Sequence, residues 1–177
     1  MIIYPTDTVY ALGCLINKQK TLKRLADLKG LNLDKARFAF FVKSFDLLSN
    51  YVRPIDNPTF KLLKRGLPGP YTFILPTLKL PKPFQKRKSI GIRISNHPIL
   101  NELLDLLTVP LITTSLHDTD KIIDYTTDPA VIFERWGKYV DLMMDDGFGG
   151  NIPSTVIDLC KKEPVVIRQG KGPLNIL

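Results

Sequence analysis

The stretch Tyr4-Pro5-Thr6-Asp7-Thr8-Val9-Tyr10-Ala11-Leu12-Gly13-Cys14 decides how the chain is read. Apolar Ile2, Ile3 and Tyr4 run into Pro5, and the run then breaks at two hydroxyls and a carboxylate before apolar residues resume. Polar groups end a strand of this kind for one of two reasons: they close a local turn, or they face a ligand. What the rest of the chain places beside them decides between the two.

Outward from that stretch, short β-rich runs alternate with amphipathic ones. The pattern predicts strands over Ile2–Pro5, Ala39–Val42, Tyr71–Pro76, Ile90–Ile94, Leu111–Thr114, Val140–Met144, Thr155–Leu159 and Val165–Arg168. It predicts helices over Thr21–Lys29, Asn57–Arg65, Pro98–Leu107 and Pro129–Trp136. In the first helix Leu22, Leu25, Ala26 and Lys29 share a face and Gly30 stops it. In the third, Pro98 sits early, where its missing N–H costs little, and Ile99, Leu103, Leu106 and Leu107 are expected to face the core. No repeat, linker or low-complexity tract interrupts the pattern. Helices layered on a mixed sheet in one domain are the expectation.

Composition is consistent with this. The chain has 177 residues, 44% of them hydrophobic and 24% charged, which suits one folded domain with a real core. No apolar run approaches the roughly 18 residues of a membrane span, and no secretion signal opens the chain. A cytoplasmic protein with no membrane partner is expected. Cys14 and Cys160 are read as buried reduced thiols. With two histidines, His97 and His117, and no CxxC or HExxH, no metal-ligating set is expected. The net charge of +8 gathers in Lys18, Lys20, Lys23, Arg24 and Lys29 and again in Lys79, Lys82, Lys86, Arg87 and Lys88. Solvated faces explain such clusters, and so does a phosphate-rich partner.

Hydroxyls recur at predicted strand ends: Thr6 and Thr8 after the first strand, Thr113, Thr114 and Ser115 at the fifth, Ser154 and Thr155 at the seventh. Each alone is most simply a turn cap, but together they supply the neutral hydrogen-bonding groups that a small polar ligand needs. Cations occupy matching places: Lys29 at a helix end, Lys35 before a strand, Arg93 within one and Arg168 at the end of another. In Ile90-Gly91-Ile92-Arg93-Ile94, alternation sets Arg93 against three isoleucines, aimed at a salt-bridge partner or at a ligand's carboxylate or phosphate. Three rigid glycine- and proline-rich turns (Gly66–Pro70, Gly147–Gly150, Gly170–Pro173) stand beside these groups and read as a lining. There is no phosphate-loop or dinucleotide motif and no convincing nucleophile–histidine set. His97, before Pro98, reads as a structural turn residue. An enzyme of this composition would work by positioning and charge neutralisation.

Taken in order, YPTDTVYALGC, LPGPYTFIL, IGIRISNHP, PLITTSLH, PSTVIDL and VVIRQGKG resemble the YrdC-type threonylcarbamoyl-AMP synthase family, and most of all its YciO-like branch. The resemblance runs from Ile2 to about Gly172. It implies a single α+β domain over 1–177, a twisted mixed β-sheet flanked by helices on both faces in three layers around a basic cavity. By the resemblance, a helix is expected before the first strand in relatives, and this sequence opens at that strand, through truncation or an atypical start. It also implies an enzyme joining L-threonine, bicarbonate and ATP, with Mg2+ carried by the nucleotide. The products are threonylcarbamoyl-adenylate and pyrophosphate, and the adenylate serves threonylcarbamoyladenosine modification of tRNA.

By the same resemblance, Thr6, Thr8 and Tyr10 hold threonine. Lys29, Thr113, Ser115 and Arg168 line the nucleotide and phosphate region, with Lys29, Ser115, His117 and Arg168 in catalytic positions. Thr72, Arg93, Ser154 and Thr155 complete the cavity. Two positions depart from the family signature. Leu31 stands where KxR has arginine, and His117 where SxN has asparagine. Leucine makes no bidentate contact to an anion, a loss of roughly 1.5–3 kcal/mol. Lys35 or Arg37 is a candidate substitute, and His117 keeps hydrogen-bonding capacity. Two further readings stay open: a weakly or non-catalytic protein of this fold that binds nucleotide, tRNA or double-stranded RNA, and catalysis on another amine.

Overall fold

A computed structural model describes residues 1–33, 36–116 and 127–177. Among these residues one mixed sheet of nine strands carries the fold, in the order β7-β1-β2-β6-β3-β5-β4-β8-β9. The strands are β1 Ile2–Tyr4, β2 Ala11–Leu15, β3 Ala39–Phe41, β4 Tyr71–Pro76, β5 Ser89–Arg93, β6 Leu111–Ser115, β7 Leu142–Met143, β8 Thr155–Asp158 and β9 Val165–Arg168. The β1–β7, β3–β5 and β4–β8 pairs are parallel and the rest antiparallel. The helices are α1 Gln19–Leu28, α2 Asn57–Gly66, α3 Pro98–Asp105 and α4 Pro129–Trp136.

Neighbouring apolar residues in the central strands point to opposite faces, as the pleat requires. Ile3, Leu12, Phe40 and Ile112 join one core cluster with Leu22, Leu25 and Ala26 of α1, Leu62 and Leu63 of α2, and Ile132 and Trp136 of α4. Tyr4, Ala11, Phe41 and Leu111 join a second cluster with Leu100 and Leu104 of α3. Both faces of the sheet are therefore covered by helices. Start signals are ordinary: Asp56 accepts the Thr59 N–H at 2.8 Å, and Asp128 accepts the Ala130 N–H at 2.9 Å. No described helix is long and apolar enough to cross a membrane.

Several expectations change. β2, formed by Ala11-Leu12-Gly13-Cys14-Leu15, was not predicted because alanine and glycine are weak strand formers. Its Gly13 is required by packing, since a Cβ there would lie 2.6 Å from the Ile112 carbonyl oxygen and 2.8 Å from the Tyr4 hydroxyl. α3 buries Leu100 and Leu104, while of the predicted set Leu103 and Leu107 are half-buried against the same cluster and Leu106, beyond the helix end at Asp105, is 82% exposed. A one-residue error in helical phase is enough to exchange the faces. The strand predicted over Val140–Met144 shrinks to Leu142–Met143. Cys14 is buried as expected, whereas Cys160 is exposed on the turn after β8.

Candidate functional site

The chain leaves β1 at Tyr4 and turns through Thr6-Asp7-Thr8 before entering β2. The turn holds itself. Thr6 Oγ1 accepts the Thr8 N–H at 3.1 Å, and the Thr6 hydroxyl donates to the Val9 carbonyl at 2.7 Å. The two threonine hydroxyls also meet at 3.1 Å. This is the local capping that short hydroxyl side chains perform in turns.

Beneath the turn lies an ion pair. Arg93, the last residue of β5, donates to Asp7 Oδ1 at 2.8 Å and to Thr8 Oγ1 at 3.0 Å, and its guanidinium carbon sits 4.7 Å from the centre of the Phe41 ring. Both side chains are buried, Arg93 being 8% and Asp7 5% exposed. Ser95 donates to the same carboxylate oxygen at 3.1 Å. Burial pulls the Arg93 guanidinium below its ordinary pKa, Asp7 pulls it back, and the nearby Arg168 charge lowers it further. It remains charged. Arg93 is thus paired with a protein carboxylate and is not among the residues that line the cavity above the turn. Asp7 Oδ2 and Arg93 Nε are buried without a partner among the described residues. Leftover polar atoms of this kind mark places where a fold gives up stability, and such places concentrate at functional sites.

Above the turn is a cavity of about 190 Å³, smaller than a drug-sized pocket and of a size for an amino acid. Pro5, Thr6, Asp7, Thr8 and Tyr10 form its wall. Its opposite side is the segment Asp146-Gly147-Phe148-Gly149-Gly150, with His97 and Lys171 at the margin. Three contacts clamp that segment. The Tyr10 hydroxyl donates to the Gly147 carbonyl at 2.8 Å and accepts the Asp146 N–H at 3.0 Å. His97 Nε2 lies 3.1 Å from Asp146 Oδ2. The Gly149 N–H donates to the Thr127 carbonyl at 2.8 Å. Gly150 lets the segment close on the turn, since a Cβ there would stand 2.1 Å from the Thr8 carbonyl oxygen. Lys171 Nζ donates to the Asp7 carbonyl at 2.7 Å.

A second constellation joins Thr72 of β4, Ser154 and Arg168. The Thr72 and Ser154 hydroxyls meet at 2.8 Å, and the Arg168 guanidinium donates to the Ser154 carbonyl at 2.9 and 3.1 Å. Thr155 is fully buried and braces the turn after β9, donating to the Gly172 carbonyl at 2.6 Å and accepting the Gly170 N–H at 2.9 Å. Thr113 is buried in the middle of β6, and Ser115 ends that strand opposite Ala11. Lys29, the C-cap of α1, donates to the Leu116 carbonyl at 3.3 Å and lies 5.7 Å from the Trp136 ring centre. Leu31 is 42% exposed. Lys35 and His117 lie outside the described residues.

Of the residues named from sequence, then, Thr6, Thr8 and Tyr10 share one cavity, and Thr72, Ser154 and Arg168 share one hydrogen-bonded group. Thr113, buried in β6, Thr155, bonded to the turn after β9, and the Gly66–Pro70 turn are not among the residues that line this cavity. His97 and Asp146 went unnoticed as lining residues because their pairing joins segments far apart in the chain. Among the described residues no group of three or more His, Cys, Asp or Glu side chains is placed to hold a metal ion.

A family model, Sua5/YciO/YrdC, carrying the description telomere recombination, matches residues 1–170. The chain belongs to the Sua5/YciO/YrdC family. Escherichia coli YciO is 40% identical over 179 residues, covering 99% of this chain and 85% of that protein. Its crystal structure superposes with a TM-score of 0.88. A protein of Pyrococcus abyssi named threonylcarbamoyl-AMP synthase is 29% identical over 178 residues, and the match covers 99% of this chain and 52% of that protein. The crystal structure of P. abyssi Sua5 complexed with L-threonine superposes with a TM-score of 0.86 at 28% identity, over 98% of this chain and 51% of that one.

Proposed function

We propose that this member of the Sua5/YciO/YrdC family is a threonylcarbamoyl-AMP synthase-like enzyme, acting as one unit over its 177 residues. The observation that carries the reading is the amino-acid-sized cavity walled by the Thr6–Thr8 turn, with Arg168, Ser154 and Thr72 grouped beside the same sheet end. A fold relative is known complexed with L-threonine. Threonine's amine condenses with bicarbonate to a carbamate, releasing water. The carbamate oxygen then attacks the α-phosphorus of ATP, and the bond to pyrophosphate breaks. No protein nucleophile is required. The chain's own task is to orient the amino acid in the cavity and to place cations, Arg168 and Lys29, where negative charge gathers on the leaving group. Magnesium enters with the nucleotide's phosphate oxygens and helps neutralise them. The adenylate would feed tRNA modification in the cytoplasm.

The deciding experiment incubates the purified protein with ATP, bicarbonate and threonine and follows pyrophosphate and threonylcarbamoyl-AMP. A product that depends on both threonine and bicarbonate is expected, and its absence sinks the reading. The second reading, nucleotide or double-stranded RNA binding with little catalysis, is favoured by one feature: Leu31 stands exposed where the family signature has arginine. RNA binding that falls steeply with salt, together with no turnover, would establish it.

A further inference from the structure

Phe148 lines the cavity, yet it is 79% exposed. Single exposed apolar side chains are common and need no explanation. This one differs in how it is held. Its neighbour Gly147 takes φ +74°, a conformation that favours glycine, and the Gly147 N–H donates to Asp145 Oδ1 at 2.8 Å. On the other side the Gly149 N–H is bonded to Thr127 and the Gly150 backbone sits against Thr8. Tyr10 and the His97–Asp146 pair fix the base of the segment. The backbone that carries the ring at the cavity is therefore tied at several points.

The rest of the lining has a different character. Among the described residues it consists of the Thr6 and Thr8 hydroxyls, the paired Asp7 and Asp146 carboxylates, His97, glycine backbone and the Lys171 ammonium, with Pro5 and the Tyr10 ring as the other apolar surface. A small ligand with polar groups at one end and a methyl at the other would turn the methyl to the rim. We infer that Phe148 is a specificity-determining residue that packs on the methyl group of the bound amino acid and thereby favours threonine over serine. The inference rests on the reading that this cavity takes threonine. One methyl group is worth about tenfold where an apolar pocket buries it fully, which is the upper limit for a methyl resting on one exposed ring.

The test is calorimetric titration of the wild type, Phe148→Ala and Phe148→Leu with L-threonine, L-serine and a non-hydrolysable ATP analogue. The wild type is expected to prefer threonine over serine severalfold, up to about tenfold. In Phe148→Ala that preference falls towards unity, Phe148→Leu recovers most of it, and affinity for the ATP analogue does not move. Because the ring is exposed, all three proteins should melt at the same temperature, which separates a binding effect from misfolding. A wild type that binds threonine with the same preference as Phe148→Ala overturns the inference alone. So does a Phe148→Ala protein that loses affinity for the ATP analogue instead, which would assign the ring to the nucleotide. A wild type that binds the analogue but no threonine removes the reading beneath it, and the inference falls with it.

Discussion

The Thr6–Asp7–Thr8 turn and the Lys29–Leu31 corner belong to one proposed active site, but different physics builds them. The turn is fixed from every side: hydroxyl caps within it, a buried guanidinium below, Ser95 beside and Lys171 above. The corner is a helix end. There Lys29 reaches the Leu116 carbonyl and the Trp136 ring face, and Leu31 is exposed. Removing Arg93 from the first region leaves a buried carboxylate without its counter-charge, while changing the second alters what the site can neutralise. The comparison teaches that stability and turnover should separate cleanly between the two.

The largest effect expected is on stability. Arg93→Ala strands the buried Asp7 carboxylate and should cost about 3–5 kcal/mol. At roughly 2–4 °C per kcal/mol for a chain of this size, the melting temperature falls by on the order of 10 °C, measured by thermal circular dichroism. Leu31→Arg should leave it within about 2 °C, since a surface substitution away from special features is nearly neutral. Equal melting temperatures for Arg93→Ala and the wild type would break the comparison.

Next comes turnover. Leu31→Arg restores a charge-assisted contact worth roughly 1.5–3 kcal/mol, so pyrophosphate release should rise about 10- to 100-fold. An unchanged rate would show that the departure from the family signature does not limit activity. Tyr10→Phe is intermediate. It removes one donor and one acceptor from the Asp146–Gly147 backbone, about 1 kcal/mol each, and should raise KM for threonine several-fold with a smaller change in kcat.

The smallest effect concerns the thiols. Burial pushes the Cys14 thiol up to about 12, and partial burial with the neighbouring Asp158 pushes Cys160 up to about 11. Both are overwhelmingly protonated at pH 8, and only the thiolate reacts. Exposed Cys160 should label slowly with iodoacetamide, faster by about tenfold per pH unit on the approach to its pKa, while Cys14 labels only after unfolding. Native labelling of two thiols at pH 8 would contradict the buried placement of β2.

Much of this was legible in the chain. Runs such as Ile90–Arg93 and Tyr71–Pro76 announce strands because branched and aromatic residues suit a pleated, half-buried surface. The helices expected from Asn57 and Pro129 begin there, where Asp56 and Asp128 accept backbone N–H groups two or three residues on. The threonines of the opening turn were identifiable as cavity residues only by resemblance, since their hydrogen bonds are those of any capped turn. β2 was illegible because Gly13 answers to Tyr4 and Ile112 across the sheet, not to its own neighbours. The same holds for α3, where a short leucine-rich run fits several faces and only the sheet selects Leu100 and Leu104.

By itself, the sequence determined the local choices: which segments extend, where helices begin, which positions carry hydroxyls and cations, and which family these belong to. Those choices depend on energies that act within a few residues. The tertiary structure alone decided the pairings. It set Arg93 against Asp7, tied Thr155 to the turn after β9, and brought His97 to Asp146 and Phe148 to a cavity walled by residues more than a hundred positions earlier. The physical reason is that a charge or a hydroxyl takes its role from its partner. In a mixed sheet with parallel crossovers, partners are set by strand order and not by distance along the chain.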